Sequence, residues 1–401
     1  VTLSTIPVAL QALQQGKMII VVDDEQRENE GDLVMAAEFV TAEAINFMSQ
    51  QGRGLICMPM TADHFTRLQI PMMAQTNKSH QQTPFGVSFG AAAGISTGIS
   101  ARDRARTIQV AADPASEAAD IVMPGHVFPL RASPHGVLSR DGHTEATVDL
   151  MRLAGLQPAG VICEIMNADG SMARLPQLVE FAQQHDLIII SIVDLIAYRM
   201  QFEMLVNELS TARLPVREFG LFTIKTFVSV VDGVEHVALI RPCVNSSNPP
   251  LVRLHSECLT GDVFGSLRCD CGEQLQRSLA LIAEQGGIVL YLRQEGRGIG
   301  LANKIKAYAL QDEGLDTVEA NHRLGFAADA RDYGYAAQIL KLLGVSACRL
   351  ITNNPAKMLG LHRYGLQVLE RVALQSTPHA ENRDYLTTKR EKLGHLLDPA
   401  G

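Results

Sequence analysis

At 401 residues the chain is too long for one ordinary core and predicts two globular domains. Hydrophobic residues make up 46% and charged residues 19%, and the net charge of −8 argues against a general nucleic-acid binder, whose phosphate contacts need a basic face. No apolar run approaches the roughly 18 residues of a membrane span, and 5% aromatics without Trp leave little for a base-stacking platform. Small anionic substrates stay open, because a local Arg/Lys pocket serves them. Seven cysteines and a start at Val1 directly in an amphipathic pattern, with no targeting segment, predict a reducing, cytoplasmic setting rather than a disulfide scaffold.

Ile6, Leu10 and Leu13 recur at helical spacing before Gly16 stops the helix. Residues 18–24, MIIVVDD, form a short β-branched run typical of a buried strand. It leads into the loop 23–32, which holds Asp23, Asp24, Glu25, Glu28, Glu30 and Asp32 with Arg27 among them. So dense a cluster is self-repelling. It reads either as a solvated loop or as a site for a hard cation such as Mg²⁺ at the C-terminal end of a buried strand. Further on, RDGHTEA (140–146) runs into a helix marked by Val148, Met151, Leu153 and Ala154 and capped near Thr144. Arg140, the glycine turn and the helix start suggest a phosphate site, and His143 is a candidate partner for the acidic loop, although a lone His at a helix start is more often a surface residue. GVICEIM (160–166) is a second buried strand that places Glu164 in an apolar setting, where it needs a partner or a function. Residues 170–200 read as helix, strand and helix.

From about 3 to 205 these motifs, DDEQRENEGD, GRGLIC, PGHVFPLRA and RDGHTEAT in order, resemble 3,4-dihydroxy-2-butanone 4-phosphate synthase. The resemblance implies conversion of ribulose 5-phosphate to dihydroxybutanone phosphate and formate, with Mg²⁺ or Mn²⁺ on Glu28 and His143. It also implies that Arg27, Asp32, Thr97, Arg140, Asp141, Gly142, His143, Thr144 and Glu164 meet the substrate, with His126 and Glu164 essential and Cys57 in an active-site segment. The chemistry agrees: removing a proton beside a carbonyl needs a base and an electrophile. The stretch from His80 to Ser88 departs from the family pattern, being one residue longer with Pro84 and Gly86 at altered places.

Residues 201–214 read as a linker, helical at first. FGLFTIKTFVSVVDGVEHVALIRP (219–242) alternates around Asp232-Gly233 as a hairpin. A strand, LVRLHSEC, then enters a segment with Cys258, Cys269 and Cys271. Cys269 and Cys271 lie two residues apart on a tight turn, so with Cys258 they can close on one Zn²⁺. Three sulfurs leave a position for water, which leans toward catalysis; a structural zinc with His255 or a distant fourth ligand is the alternative, and metal-free thiols rank last. Leu275, Leu279 and Ile282 share a helical face. Residues 288–300 form a strand feeding Gly296, Gly298 and Gly300, a weak phosphate-loop signal with Arg297 and Lys304 nearby. Asp329 and Arg331 precede an amphipathic helix, and Thr352 and Lys357 follow a strand.

Residues 207 to about 397 resemble GTP cyclohydrolase II through HSECLTGD, SLRCDCG, RQEGRGIGL, TVEANHRLGFAADARDYG and LITNNPAK. This implies Zn²⁺ on Cys258, Cys269 and Cys271, Mg²⁺ on the nucleotide, and GTP contacts from Arg253, Leu254, His255, Ser256, Glu257, Gln274, Glu295, Gly296, Arg297, Thr317, Thr352 and Lys357. Asp329 is implied as proton acceptor, Tyr308 as a residue near zinc, and Arg331 as the group meeting the α-phosphate. A guanidinium is nearly always protonated, so Arg331 suits charge stabilisation better than attack.

The sequence thus predicts an α/β (α+β) protein of two domains, 1–205 and 206–401, each a mixed sheet with flanking helices. Both halves point to a bifunctional riboflavin-pathway enzyme acting on small molecules, with no nucleic-acid or membrane partner and, as both families imply, a homodimer. One active half beside an inert one and a zinc-stapled binding module are the rivals.

Overall fold

The computed structural model describes residues 3–25, 27–79, 81–244, 248–326, 331 and 333–397. Two compact units emerge, Val1–Arg199 and Met200–Gly401, and each is built around one mixed seven-stranded sheet. No helix among the described residues is long and apolar enough to cross a membrane.

In the first unit the elements are α1 (Ile6–Gln14), β1 (Ile19–Val22), β2 (Gly31–Ala36), α2 (Ala42–Phe47), β3 (Cys57–Met60), α3 (Ala62–Arg67), β4 (Phe89–Ala91), α4 (Ala101–Ala112), β5 (Ile121–Arg131), α5 (His143–Leu153), β6 (Gly160–Glu164), α6 (Leu175–His185), β7 (Ile189–Ser191) and α7 (Ile192–Phe202). The strands run in the order β4-β5-β3-β6-β2-β1-β7. Both faces are covered, which explains the unbroken apolar run of β1. Ile20 and Val22 point into one cluster with Ile45, Ile108 and Leu178, while Ile19 and Val21 point into another with Leu13, Leu150 and Leu195. Asp32 belongs to β2 rather than to the acidic loop, and is buried there. Helix α5 is capped at Gly142, without a side-chain bond, and Thr144 lies inside its first turn.

The second unit comprises β8 (Val206–Val216), β9 (Gly220–Ser229), β10 (Glu235–Arg241), β11 (Leu251–Ser256), α8 (Leu259–Asp262), α9 (Cys271–Gln285), β12 (Gly287–Leu292), α10 (Gly300–Asp312), α11 (Thr317–Arg323), α12 (Gly334–Leu342), β13 (Ala347–Ile351), α13 (Pro355–Arg363), β14 (Gln367–Val372) and α14 (Arg383–Glu391). Its order is β14-β13-β11-β12-β10-β9-β8, with parallel pairing among β11 to β14 and antiparallel hairpins beyond. Leu279 and Ile282 of α9 pack on Leu251 and Val289 as their spacing predicts. The expected linker is instead largely β8, an eleven-residue edge strand exposed along most of its length. Without one buried face it has no apolar alternation to read. The division between the two compact units falls within α7.

Two candidate active sites

In the first unit, the carboxylates of Asp23 and Glu28 and the imidazole of His143 place their ligand atoms within 4.8 Å of one another. Each is held from behind. Asp23 Oδ1 accepts the Glu30 N–H at 2.8 Å and Oδ2 that of Glu28 at 3.0 Å, which folds the loop back on itself. His143 Nε2 lies 3.2 Å from the Val21 carbonyl and Nδ1 3.6 Å from Glu28. Donation from Nε2 to that carbonyl turns Nδ1 toward the acids, the tautomer a metal ligand needs. Bonding to His143 holds the Glu28 carboxyl down at about 2. Burial opposes a charge on His143, but Asp32, Glu28 and Asp23 raise it to about 9. Two like-charged carboxylates and an imidazole this close fit a hard divalent cation, which would take the place of the His143 proton and whose bonds of about 2.1 Å span these separations.

Beside it lies an anion cradle. Arg27 reaches Glu28 at 2.6 Å and Asp23 at 2.9 Å, and its Nε lies 3.6 Å from Asp141. Arg140 pairs with Glu145 at 2.7 Å and donates to the Gln81 carbonyl at 3.1 Å. Gly142 is bare for a reason: a Cβ there would meet Arg140 Nη1 at 2.3 Å and Arg27 Nη2 at 2.9 Å. The cleft outside is lined by Arg27, Arg140, Ser133 and Ser139, by Arg131, which the sequence did not single out, and by Gln81, Gln82 and Pro84 of the lengthened segment. His80 of that segment lies outside the described residues.

Asp32 faces Glu164 directly across β2 and β6. Burial lifts the Asp32 carboxyl to about 7, and its Oδ1 has no hydrogen-bond partner among the described residues. Glu164 is half-buried, with Oε2 accepting the Leu55 N–H at 2.8 Å. The glycine of GRGLIC makes room for it, since a Cβ on Gly54 would lie 2.4 Å from that oxygen.

Cys57, 2% exposed, lies close to this acid pair, its thiol pushed well up by burial and then by the charges of Glu164 and Asp32, which keeps it neutral. Two expected residues stand elsewhere. His126 is exposed on β5, separated from β6 by β3, and its ring packs against Gly98, next to the exposed Thr97. No hydrogen bond or ion pair among the described residues joins Thr97 or His126 to the acidic cluster.

In the second unit, Cys258 follows β11, Cys269 lies in the loop before α9, and Cys271 opens α9. Their sulfurs lie within 4.8 Å of one another, with Cys258 and Cys269 at 3.6 Å. Three tetrahedral Zn–S bonds of about 2.3 Å would put sulfurs about 3.8 Å apart, so the triad fits that ion. The thiols cannot all ionise unaided. Shared hydrogen bonds with Cys269 and Cys271 push Cys258 far down, while Cys269 rises to about 11 and Cys271 also rises. Lys304 sits 3.1 Å from Cys258 Sγ and 2.8 Å from Glu295, so it serves the thiols rather than a phosphate loop. Glu295 in turn accepts the Leu259 N–H at 2.7 Å.

No His/Cys/Asp/Glu atom among the described residues joins the three sulfurs as a fourth close ligand. His255 is committed elsewhere: its Nε2 lies 3.1 Å from both Asp262 oxygens, and Asp262 also accepts Tyr291 Oη–H at 2.8 Å and the Cys258 N–H at 3.0 Å. His255 and Tyr291 are register partners on β11 and β12, with stacked rings. Nε2 therefore carries the proton. Nδ1 is buried without a hydrogen-bond partner, on a residue that lines the cleft.

That cleft, about 1060 Å³ including open solvent, is lined by every residue expected to meet GTP except Leu254, together with the three cysteines, Tyr308 and Arg331. Leu254 is fully buried in β11, where only its carbonyl acts, accepting Lys357 Nζ at 2.6 Å. Arg253 Nη2 donates to Gln274 at 2.5 Å, Tyr308 Oη lies 3.2 Å from Thr260, and Arg331 reaches Ser256 at 3.3 Å. Gly296 and Arg297 both take left-handed backbone near φ 61°, which a non-glycine adopts at a cost of about 1 kcal/mol and which bends the chain around the cleft. Thr352 is buried where β13 ends, and Thr317 opens α11 behind the Asp316 cap. Asp329 lies outside the described residues. The sequence reading missed Tyr385, Lys389 and His395, which also line the cleft. They come from beyond the recognisable motifs, and a Lys in an amphipathic helix carries no signal of burial.

Residues 7–198 match the family model for 3,4-dihydroxy-2-butanone 4-phosphate synthase and residues 207–373 that for GTP cyclohydrolase II. The chain is 56% identical over 397 residues to a riboflavin biosynthesis protein RibBA of a Synechocystis species, covering 98% of this chain and 71% of that one. It is 55% identical over 391 residues to RibBA of Bacillus mycoides, covering 97% and 98%. Among solved structures, RibBX from A. baumannii, described as a two-domain 3,4-dihydroxy-2-butanone 4-phosphate synthase, is 35% identical with a TM-score of 0.71, covering 93% of this chain and 100% of that one.

Proposed function

Because the chain belongs to the RibBA family of bifunctional riboflavin biosynthesis proteins, we propose how its residues divide the work of the two reactions. The N-terminal half is a lyase that converts ribulose 5-phosphate to 3,4-dihydroxy-2-butanone 4-phosphate and formate. The C-terminal half is a hydrolase that opens the guanine ring of GTP, releasing formate and pyrophosphate. The observation that carries the reading is that two ligand sets, each scattered along the chain, converge beside an anion pocket.

In the synthase half, Arg27, Arg140 and the Gly142 turn bind the sugar phosphate, and Arg131 neutralises the outer cleft. Asp23, Glu28 and His143 hold Mg²⁺ or Mn²⁺, which when bound polarises the carbonyl and steadies the enediolate. Asp32 and Glu164 move the protons. Burial lifts Asp32 to about 7, so it can give or take a proton near neutrality, and Glu164 faces it across the strands; one carboxyl takes the proton beside the carbonyl while the other assists loss of water. Thr97 and His126 act from the exposed edge. Ile99, Val122 and Met123, close to them in sequence, are also exposed, which supports the homodimer that both families imply and would bring these side chains against a second copy. Sedimentation of the full chain tests this.

In the cyclohydrolase half, Cys258, Cys269 and Cys271 hold Zn²⁺, which when bound supplies an activated water for the purine ring. Lys304 offsets the excess negative charge of three thiolates. His255 offers its Nδ1 lone pair as an acceptor, in the tautomer Asp262 selects. Arg297, Lys357 and Arg331 face the triphosphate, Arg331 as charge stabiliser. A structural zinc would need a fourth ligand, and His255 faces Asp262 instead. The two-domain relative named for the synthase alone raises a second reading, in which only the first half turns over; the converged thiols weigh against it.

Formate release assayed separately on the two substrates decides the matter. Formate from both is the expected result; formate from ribulose 5-phosphate alone would leave the second half inert. Seven free cysteines support a reducing, cytoplasmic setting.

A further inference from the structure

The match to GTP cyclohydrolase II ends at residue 373, yet the chain beyond it returns to the cleft. Asn353 brackets this stretch: its side chain bonds both the N–H and the carbonyl of Leu374, and its carbonyl accepts the Leu396 N–H at 2.8 Å. Between these points the chain crosses the start of α9. Arg277 donates to the Gln375 carbonyl at 2.5 Å, and Glu273 accepts the Thr377 N–H at 3.1 Å. Helix α14 then bridges to α11 through Lys392, which pairs with Asp316 and Glu319. Residues 374–397 are thus a strap pinned to α9, α11 and the end of β13.

At the centre of the strap, Lys389 Nζ lies 2.6 Å from Asp270 Oδ1, with both side chains almost wholly buried. Asp270 is the residue between Cys269 and Cys271 and the cap of α9. Its other oxygen accepts Gln274 Nε2 at 2.6 Å and Ser376 Oγ at 3.0 Å, and Gln274 accepts from Arg253. A line of hydrogen bonds therefore runs from strap to cysteine turn to cleft floor. Tyr385 holds Lys389 over its ring at 4.4 Å, and burial, with the positive charges of Lys389, Arg297, Arg331 and Lys357, brings His395 down to about 3. Replacing a buried ion pair by apolar groups is often neutral, whereas removing one partner strands the other's charge. Here the stranded carboxylate would belong to the residue that joins two metal-binding cysteines, and would keep, among the described residues, only Gln274 and Ser376 as side-chain donors.

We propose that Lys389 is a positioning residue of the cyclohydrolase half: through Asp270 it fixes the turn that presents Cys269 and Cys271, and its strap walls the cationic end of the GTP cleft. The proposal rests on the metal reading of the three thiols. The test uses the full chain with Lys389→Met, Lys389→Arg and Lys392→Ala. Co²⁺ replaces Zn²⁺ for its thiolate absorption, and metal retention is titrated against a chromogenic chelator. Lys389→Met is expected to retain metal at least 10-fold more weakly, with an altered cobalt spectrum and a fall in kcat for GTP. Lys389→Arg should restore the spectrum, and all three should release formate from ribulose 5-phosphate at the parent rate. Lys392→Ala changes an exposed side chain and does not threaten the fold; it is expected to raise KM for GTP at least 3-fold with kcat nearly unchanged. Parent-like retention and spectrum in Lys389→Met would overturn the positioning role, and an unchanged KM in Lys392→Ala would overturn the wall. Failure of the parent protein itself to bind Co²⁺ or Zn²⁺ would sink the metal reading instead.

Discussion

Asp262→Asn probes the most densely bonded carboxylate of the cyclohydrolase half. Asp262 is 3% exposed at the side chain and accepts from His255, Tyr291 and the Cys258 backbone. Asparagine keeps one acceptor oxygen, enough for Tyr291 and the Cys258 N–H, but turns an NH₂ toward His255 Nε2. Imidazole can meet that donor only by moving its proton to Nδ1, so the cleft then faces an N–H where it had a lone pair. Hydrogen bonds to a charged acceptor contribute about 1.5–3 kcal/mol against about 0.5–1.5 for neutral ones, so losing the charge on two retained bonds costs about 2 kcal/mol. Losing one substrate hydrogen bond at Nδ1 removes a further 1.4 to 2.8 kcal/mol or so from transition-state binding, roughly 10- to 100-fold in kcat/KM. Asp262→Ala strands three donors and should cost on the order of 5 kcal/mol, most of the margin of a marginal domain. The assay pairs urea unfolding followed in the second unit with formate release from GTP, with ribulose 5-phosphate turnover as internal control. Asparagine at 262 with stability within about 0.5 kcal/mol of the parent and full GTP turnover would refute the tautomer assignment.

Asp32→Asn is expected to lower synthase kcat by about 10² or more, because it removes a proton-transfer group, while GTP turnover stays at the parent rate; equal synthase rates would remove Asp32 from the chemistry. Chelation should stop both reactions, with Mg²⁺ restoring formate from ribulose 5-phosphate and Zn²⁺ being required only for GTP; recovery of GTP turnover with Mg²⁺ alone would contradict the thiol assignment. His64 is buried against Thr61, and burial lowers it to about 4. Its folded value lies below the ordinary 6.5, so the stability tied to the neutral ring is full above pH 6.5 and drains as pH falls toward 4, reaching a loss of about 2 kcal/mol at pH 5. Urea unfolding of the first unit at pH 7 and 5 should show that loss in the parent and not in His64→Gln; the same loss in both would acquit His64.

Much of this protein was legible in the chain. The apolar run of β1, the hairpin around Asp232-Gly233 and the face of Leu279 and Ile282 follow from side-chain period, because a buried surface leaves its repeat in the sequence. The three cysteines were readable as candidate ligands from residue type and spacing, whereas Glu28 was singled out from the acidic loop as the partner of His143 only by the family resemblance. Strand β8 was not readable, because an edge with both faces wet keeps no such repeat. Nor was the fate of individual groups. Cys57 and Leu254 stand in active-site motifs but point into cores, and Asp32 gains its raised pKa from burial in the sheet, with a smaller push from Glu164 across the strands. Lys389 acquires meaning only when α14 folds back to Asp270. Residue type and spacing determine what a segment is able to bind; which groups lose water, and which charge lies beside which, depends on contacts between distant segments, and desolvation and Coulomb energies are set by those distances alone.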